Sequence, residues 1–296
     1  MKRQSLSLLI RLARPHFLLG AMLVYALGAG VTHYLGHTIR WDIYLFGQIW
    51  VTLIQLSTHF FNEYFDFQAD QENANRTPFS GGSGALGPGK LPREVALWSG
   101  IICLTGAASF SVLLVSRSNN AMELSLVMLL IFLGAFLYSV PPVRLAASGY
   151  GELTTAVVVS NLVPAMAFIL QYGELHRLLA MTTFPLTAIN IAMMLAFELP
   201  DYATDLKHGK RTMMVRAGWE RGMLLHNIMV VIGFLLLGTA IFFGLPISIA
   251  LPGLLPLPLG LFQIWMMNRI ASGAKPNWSI LTFTAVAFYA CVAYLL

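Results

Sequence analysis

The 296-residue chain is 57% hydrophobic and only 10% charged, where a soluble domain carries about 25% charged side chains. That balance excludes a water-soluble globule and points to an all-α integral membrane protein. The net charge of +5 is no sign of nucleic-acid binding, because it is concentrated in loops on one side of the apolar spans.

Lys2, Arg3, Arg11 and Arg14 precede the first long apolar stretch, and no small-residue cleavage site is evident. Residues 1–15 therefore read as a cytoplasmic N-terminal segment leading into a retained span, not as a signal peptide. Runs long enough to cross ~30 Å of hydrocarbon fall at 16–35, 43–62, 94–116, 121–139, 151–172, 178–199, 222–244, 246–268 and 277–296, about nine in all. The eighth is interrupted by Pro246, Pro252, Pro256 and Pro258, which a bilayer tolerates when neighbouring helices satisfy the freed carbonyls. Cys103 and Cys291 lie in apolar runs and read as packing residues.

The loops are short except for 66–93, which holds Ser80-Gly81-Gly82-Ser83-Gly84 and Gly87-Pro88-Gly89. A long loop in a compact protein is functional or disordered; here a lid or phosphate-contacting loop is the favoured reading and a flexible linker the alternative. With the N-terminus cytoplasmic, 15 of the 18 Lys and Arg lie on the inner side, and only Arg40, Arg117 and Arg177 lie outside. This bias orients a single multi-pass domain, 1–296, in the cell (inner) membrane, with a central cavity opening to the cytoplasm.

Two acidic segments end long apolar helices on that inner face. The chain has 13 acidic residues, and seven lie here: Glu63, Asp66, Asp70, Glu72, Glu198, Asp201 and Asp205. Residues four apart share a helix face. Asn62, Asp66 and Asp70 thus form one stripe, and Asp201 and Asp205 another. A lone Asp-x-x-x-Asp on a soluble helix is a solvated face. Carboxylates near a bilayer cost about 2.5–3.5 kcal/mol each, so a duplicated set at membrane ends calls for a counter-charge. Mg²⁺ suits it, taking one or two carboxylates and filling its other positions with water and substrate phosphate. The expected metal ligands are Asn62, Asp66, Asp70, Asp201 and Asp205, with the four aspartates catalytic. Two such stripes across a cavity would clamp a diphosphate. Glu63 and Glu198 point off the stripes, as supporting groups or as surface charges.

A leaving diphosphate needs cations. Arg76, Lys90, Arg144, Lys207, Lys210 and Arg211 lie on the same side, although the positive-inside bias alone would put basic residues there. Arg144 is favoured, because it follows the rigid run Tyr138-Ser139-Val140-Pro141-Pro142-Val143. Aromatic residues near the clusters, Tyr138 and Tyr64 among them, could stabilise a carbocation, although membrane helices are rich in aromatics anyway. His59 reads as a hydrogen-bonded interior histidine or an acid–base group. His33 and His37 read as a surface pair.

These residues resemble the UbiA superfamily of intramembrane aromatic prenyltransferases. Its first motif, Asn-Asp-x-x-Asp-x-x-x-Asp, is matched by Asn62-Glu63-x-x-Asp66-x-x-x-Asp70, with Glu63 the departure. Its second motif is matched by Asp201 and Asp205. Arg14-Pro15, the Tyr138–Arg144 run and Gly209-Lys210-Arg211-Thr212 also look like this family, so the likeness extends over residues 14–216. The resemblance implies Mg²⁺-dependent transfer of an isoprenyl group from a polyprenyl diphosphate to an aromatic acceptor. It implies Asn62, Arg76, Tyr138, Arg144, Lys210 and Arg211 as substrate-binding residues and an isoprenoid tail lying between helices or in lipid. Residues 77–83 and 209–216 look most like the branch that prenylates 1,4-dihydroxy-2-naphthoate in menaquinone synthesis; acceptors of 4-hydroxybenzoate, homogentisate or tetrapyrrole type remain alternatives. A cation-coupled transporter is the rival from another class, but its sites lie near the midplane at broken helices. A lipid-head-group transferase ranks lower, because the acidic motif is split in two.

Overall fold

The computed structural model describes residues 3–296, with side chains from Ser5 onward. Lys2 and the Arg3 side chain, counted above in the charge bias, lie outside what is described. In chain order the helices are α1 (Arg3–Ala13), α2 (Pro15–Tyr34), α3 (Trp41–Phe65), α4 (Phe67–Glu72), α5 (Arg93–Ser116), α6 (Ala121–Ser139) and α7 (Gly151–Val157). Then come α8 (Val163–Tyr172), α9 (Arg177–Lys207), α10 (Met213–Ala217), α11 (Trp219–Phe242), α12 (Ile247–Leu254), α13 (Leu257–Ala271) and α14 (Trp278–Leu295). No strand occurs among the described residues.

Local chemistry sets several boundaries. Pro15 opens α2, where its missing N–H costs nothing, and Arg14 before it is left-handed at φ 50°. Thr212 caps α10 by accepting the Val215 N–H at 3.3 Å, and Asn277 caps α14 by accepting that of Ile280 at 3.1 Å. Between α7 and α8, residues 158–162 widen into a π-helical turn just ahead of Pro164, a common way to absorb a local misfit in a helix. Leu255 and Pro256 separate α12 from α13, as the prolines of the eighth run foretold.

The chain forms two compact units. The first takes the chain to Glu72, then Gly82–Arg144 and Leu162–His176. Its centre is α3, which packs on α1, α2, α5, α6 and α8. The polar residues of α3 find partners there: Trp50 Nε1 donates to Ser111 Oγ at 2.8 Å and Gln55 Nε2 to the Phe17 carbonyl at 2.9 Å. Close approach depends on glycine. A Cβ on Gly28 of α2 would lie 2.1 Å from the Pro164 carbonyl oxygen of α8.

The second unit comprises Asn73–Gly81, Leu145–Asn161 and Arg177–Leu296. Here α9 is central, packing on α7, α10, α11 and α14, and it runs through Pro185 and Pro200. The segment 73–81 is fastened to this unit. Phe79 stacks on Phe197 with ring centroids 6.0 Å apart, and Thr282 Oγ1 donates to Thr77 Oγ1 at 3.3 Å.

Among the described residues eight helical stretches are long and apolar enough to cross a membrane. The expected second span, α3, is a 25-residue helix but is not one of them. Gln48, Gln55 and His59, with Thr52 and Thr58, lower its apolarity, although Leu45 and Ile49 on it are exposed. The long loop also departs from expectation: 67–72 is helical as α4, and 73–81 and 82–93 belong to different units.

Candidate active site

In the first unit α3 stops one residue short of Asp66, which sits at its C-cap with φ −95° and ψ 5°. The four-residue rhythm nonetheless continues. The Asp66 N–H donates to the Asn62 carbonyl at 2.9 Å, and the Asp70 N–H donates to that of Asp66 at 3.0 Å. Asn62 Nδ2 donates to Asp66 Oδ2 at 3.1 Å, while Arg144 Nη2 lies 2.8 Å from Asp66 Oδ1. Arg144 is itself left-handed at φ 43°. The unit therefore joins Asn62, Asp66 and Arg144 in one cluster, with half-buried Asp70 a turn further on. A Cβ on Gly82 would fall 2.3 Å from Asp70 Oδ2, so the backbone at Gly82 rests directly on that carboxylate. Tyr138 is half-buried in the last turn of α6.

In the second unit both carboxylates lie in the final turns of α9. Asp201 Oδ1 accepts from Asn73 Nδ2 at 2.6 Å, and its Oδ2 accepts the Gly81 N–H at 3.1 Å. Buried Asp205 pairs with Lys210, whose Nζ lies 3.4 Å from Oδ1 and whose N–H donates to the Asp205 carbonyl at 2.9 Å. Arg76 turns back on its own segment, donating from Nε to the Gly81 carbonyl at 2.5 Å. Arg211 has an exposed side chain and donates its N–H to the Ala147 carbonyl at 2.9 Å.

Glu63 and Glu198 are not surface charges. Glu63 is 3% exposed, pairs with Arg14 at 2.6 Å and accepts both the Ser83 N–H and hydroxyl. Glu198 is half-buried and accepts the Met214 N–H at 2.9 Å. His59 is the hydrogen-bonded interior histidine, its Nδ1 3.0 Å from the Ala13 carbonyl oxygen. Lys90 Nζ donates to the Gly84 carbonyl at 2.8 Å. Sequence reasoning missed Asn73 and the Gly81 amide as partners of Asp201; the Gly-rich run 80–84 was the only signal available.

The UbiA prenyltransferase family matches residues 17–292. The chain belongs to that family. It is a prenyltransferase and a multi-pass integral membrane protein. It is 22% identical over 288 residues to the 1,4-dihydroxy-2-naphthoate octaprenyltransferase of Bacillus subtilis (strain 168), covering 94% of this chain and 78% of that protein. Its fold is that of a UbiA homolog from Archaeoglobus fulgidus bound to DMAPP and Mg²⁺, at a TM-score of 0.71, 21% identity and coverage of 97% of this chain and 98% of that one. The same homolog bound to GPP and Mg²⁺ gives a TM-score of 0.69 at 18% identity, over 97% of this chain and 99% of that one.

A divalent metal accompanies substrate in those UbiA neighbours. Among the described residues here, no three His, Cys, Asp or Glu side chains converge into a closed metal site. Within the first unit the side chains of Asn62, Asp66 and Asp70, and within the second those of Asp201 and Asp205, offer oxygen donors, the chemistry that Mg²⁺ takes while leaving positions open for water and phosphate.

Proposed function

We propose that this UbiA enzyme transfers a polyprenyl group from a polyprenyl diphosphate to 1,4-dihydroxy-2-naphthoate at the cytoplasmic side of the cell membrane. The observation that carries the diphosphate reading is the Asp66–Arg144 pair at 2.8 Å beside Asn62. A carboxylate to hold a cation and a guanidinium to meet phosphate oxygens stand together there. The acceptor reading is supported by the likeness to a dihydroxynaphthoate octaprenyltransferase and by residues 77–83 and 209–216.

In this reading Asn62, Asp66, Asp70, Asp201 and Asp205 hold Mg²⁺. The metal supplies positive charge that lowers the cost of releasing diphosphate. Arg144 and Lys210, with Arg76 and Arg211 on the flanking loops, add cationic donors for the phosphate oxygens. The allylic C–O bond breaks with its electron pair leaving on diphosphate. The electron-rich ring carbon bearing the carboxylate attacks the allylic cation, and that carboxylate departs as CO₂, restoring the aromatic ring. Tyr138 offers a π-face to the cation.

The test is turnover by purified protein with Mg²⁺ and a labelled long-chain diphosphate, offered each acceptor in parallel. Prenylated naphthoate with equimolar CO₂ and diphosphate is expected. Product from 4-hydroxybenzoate, homogentisate or a tetrapyrrole, with none from the naphthoate, would sink the acceptor and leave prenyl transfer standing.

A further inference from the structure

The two glutamates set aside at first occupy equivalent places. One acidic segment reads Glu63-x-x-Asp66-x-x-x-Asp70 and the other Glu198-x-x-Asp201-x-x-x-Asp205. Each glutamate stands three residues before the first aspartate of its set, and each accepts a backbone amide from the segment that follows the set, a loop residue for Glu63 and the first turn of α10 for Glu198. In the first unit Glu63 takes the Ser83 N–H at 2.5 Å and the Ser83 hydroxyl at 2.7 Å, 20 residues along the chain. The neighbouring residue, Gly82, rests on Asp70. In the second unit Glu198 takes the Met214 N–H, 16 residues along, and Glu152 takes the adjoining Met213 N–H at 2.7 Å. The loop just before, through Lys210, lies on Asp205.

We propose that Glu63 and Glu198 are paired positioning residues: through backbone amides Glu63 fixes the loop that lies against Asp70, and Glu198 fixes the start of α10, which anchors the loop that lies against Asp205. The proposal rests on the metal-binding reading of the aspartates given above. Its physical basis is that backbone N–H groups taken by a carboxyl group are costly to leave unsatisfied once it is removed, and that the buried Glu63 carboxylate, paired with Arg14, makes short, charge-assisted bonds. A loop held this way keeps its neighbouring carboxylate in one orientation before any cation arrives. Arg14 extends the arrangement in the first unit by pairing with Glu63 at 2.6 Å, so the α1–α2 junction is tied to the same node.

The test uses the full chain in detergent, with Glu63→Gln, Glu198→Leu and Ser83→Ala. Amide hydrogen exchange is followed over 80–86 and 211–216, and Mn²⁺ half-saturation is measured with inorganic pyrophosphate present. Each glutamate variant should speed exchange in its own loop only and raise the Mn²⁺ half-saturation about ten- to a hundredfold. Ser83→Ala should shift it less, in the same direction, and add nothing in the Glu63→Gln background. Folded glutamate variants with unchanged exchange and half-saturation within about twofold of the parent overturn the proposal. Should a glutamate variant fail to fold, an unshifted Ser83→Ala overturns it for the first unit. Asp66→Asn and Asp201→Asn keep the two levels apart. Parent-like Mn²⁺ binding in both removes the metal reading underneath, while lost binding there beside silent glutamate variants overturns the positioning role alone.

Discussion

Asp201 is held from two sides, by the Asn73 amide and the Gly81 N–H, and Asp66 by Asn62 and Arg144. Each carboxylate thus has one orientation fixed by neutral or cationic donors. Asp66→Ala or Asp201→Ala should nearly abolish prenyl transfer, and EDTA should reproduce the loss in the parent enzyme. Full turnover by either variant in chelator would remove the metal reading. Asn73→Ala removes a donor that orients Asp201 without removing a ligand, so its activity should fall about ten- to a hundredfold, with part of the loss recovered at raised Mg²⁺. The placing of Asn62, Asp66 and Asp70 at successive turns, and of Asp201 and Asp205 in the last turns of α9, was legible in the sequence because i,i+4 spacing is a local property of a helix. Asn73 was not, because its partner lies 128 residues along the chain and nothing in a polar loop announces which carboxylate it will meet. The roles of Glu63 and Glu198 were hidden for the same reason: whether a glutamate is a surface charge or a buried acceptor depends on which loop folds over it.

Helix existence followed from apolar run length, and the observed ends of α5 and α6 fall within a residue of the runs read from sequence, whereas α9 continues eight residues past its run, to Lys207. Three features needed tertiary structure. The fifth span is divided by the π-helical turn at 158–162, α4 occupies the start of the long loop, and α3 owes its polar content to partners in its own unit. Helices in lipid gain little from apolar burial against one another and depend on close fit at small residues. Gly28 is such a place, with no room for a Cβ against Pro164, whereas Gly30 two residues on has nothing within 4 Å. Gly28→Ala should therefore destabilise the detergent-solubilised protein by roughly 1–3 kcal/mol, while Gly30→Ala should leave its melting temperature unchanged or slightly raised. Equal melting behaviour for the two variants would mean that the α2–α8 approach carries no such constraint.

For the whole molecule, the Lys and Arg distribution makes a demand that helix hydropathy alone does not. Arg40 precedes α3, and the basic, carboxylate-bearing loop follows it. If α3 did not cross, Arg40 and that loop would share a side and the alternation of charged and uncharged loops would fail from there onward. A crossing by α3 keeps Arg40, Arg117 and Arg177 together on the outer side, and its 25 residues at about 1.5 Å each exceed the hydrocarbon thickness. The Gln48 and Gln55 amide nitrogens and His59 Nδ1 are bonded within the first unit, which lowers the cost of spanning, although both glutamine side-chain oxygens are buried without a partner among the described residues. The labelling test needs positions that are exposed and structurally idle. Ser83, buried against Glu63, is unsuitable. Pro88 in the loop after α3 and Ala121 at the start of α6 are both exposed and both in the first unit. In a background with Cys103 and Cys291 replaced by Ala, Pro88→Cys should resist an impermeant thiol reagent in intact cells and react after lysis, while Ala121→Cys should react from outside. The opposite pattern would invert the protein and put the carboxylates on the wrong face for a cytoplasmic diphosphate. Labelling of both from outside would leave α5 without a crossing and remove the alternation on which the orientation rests.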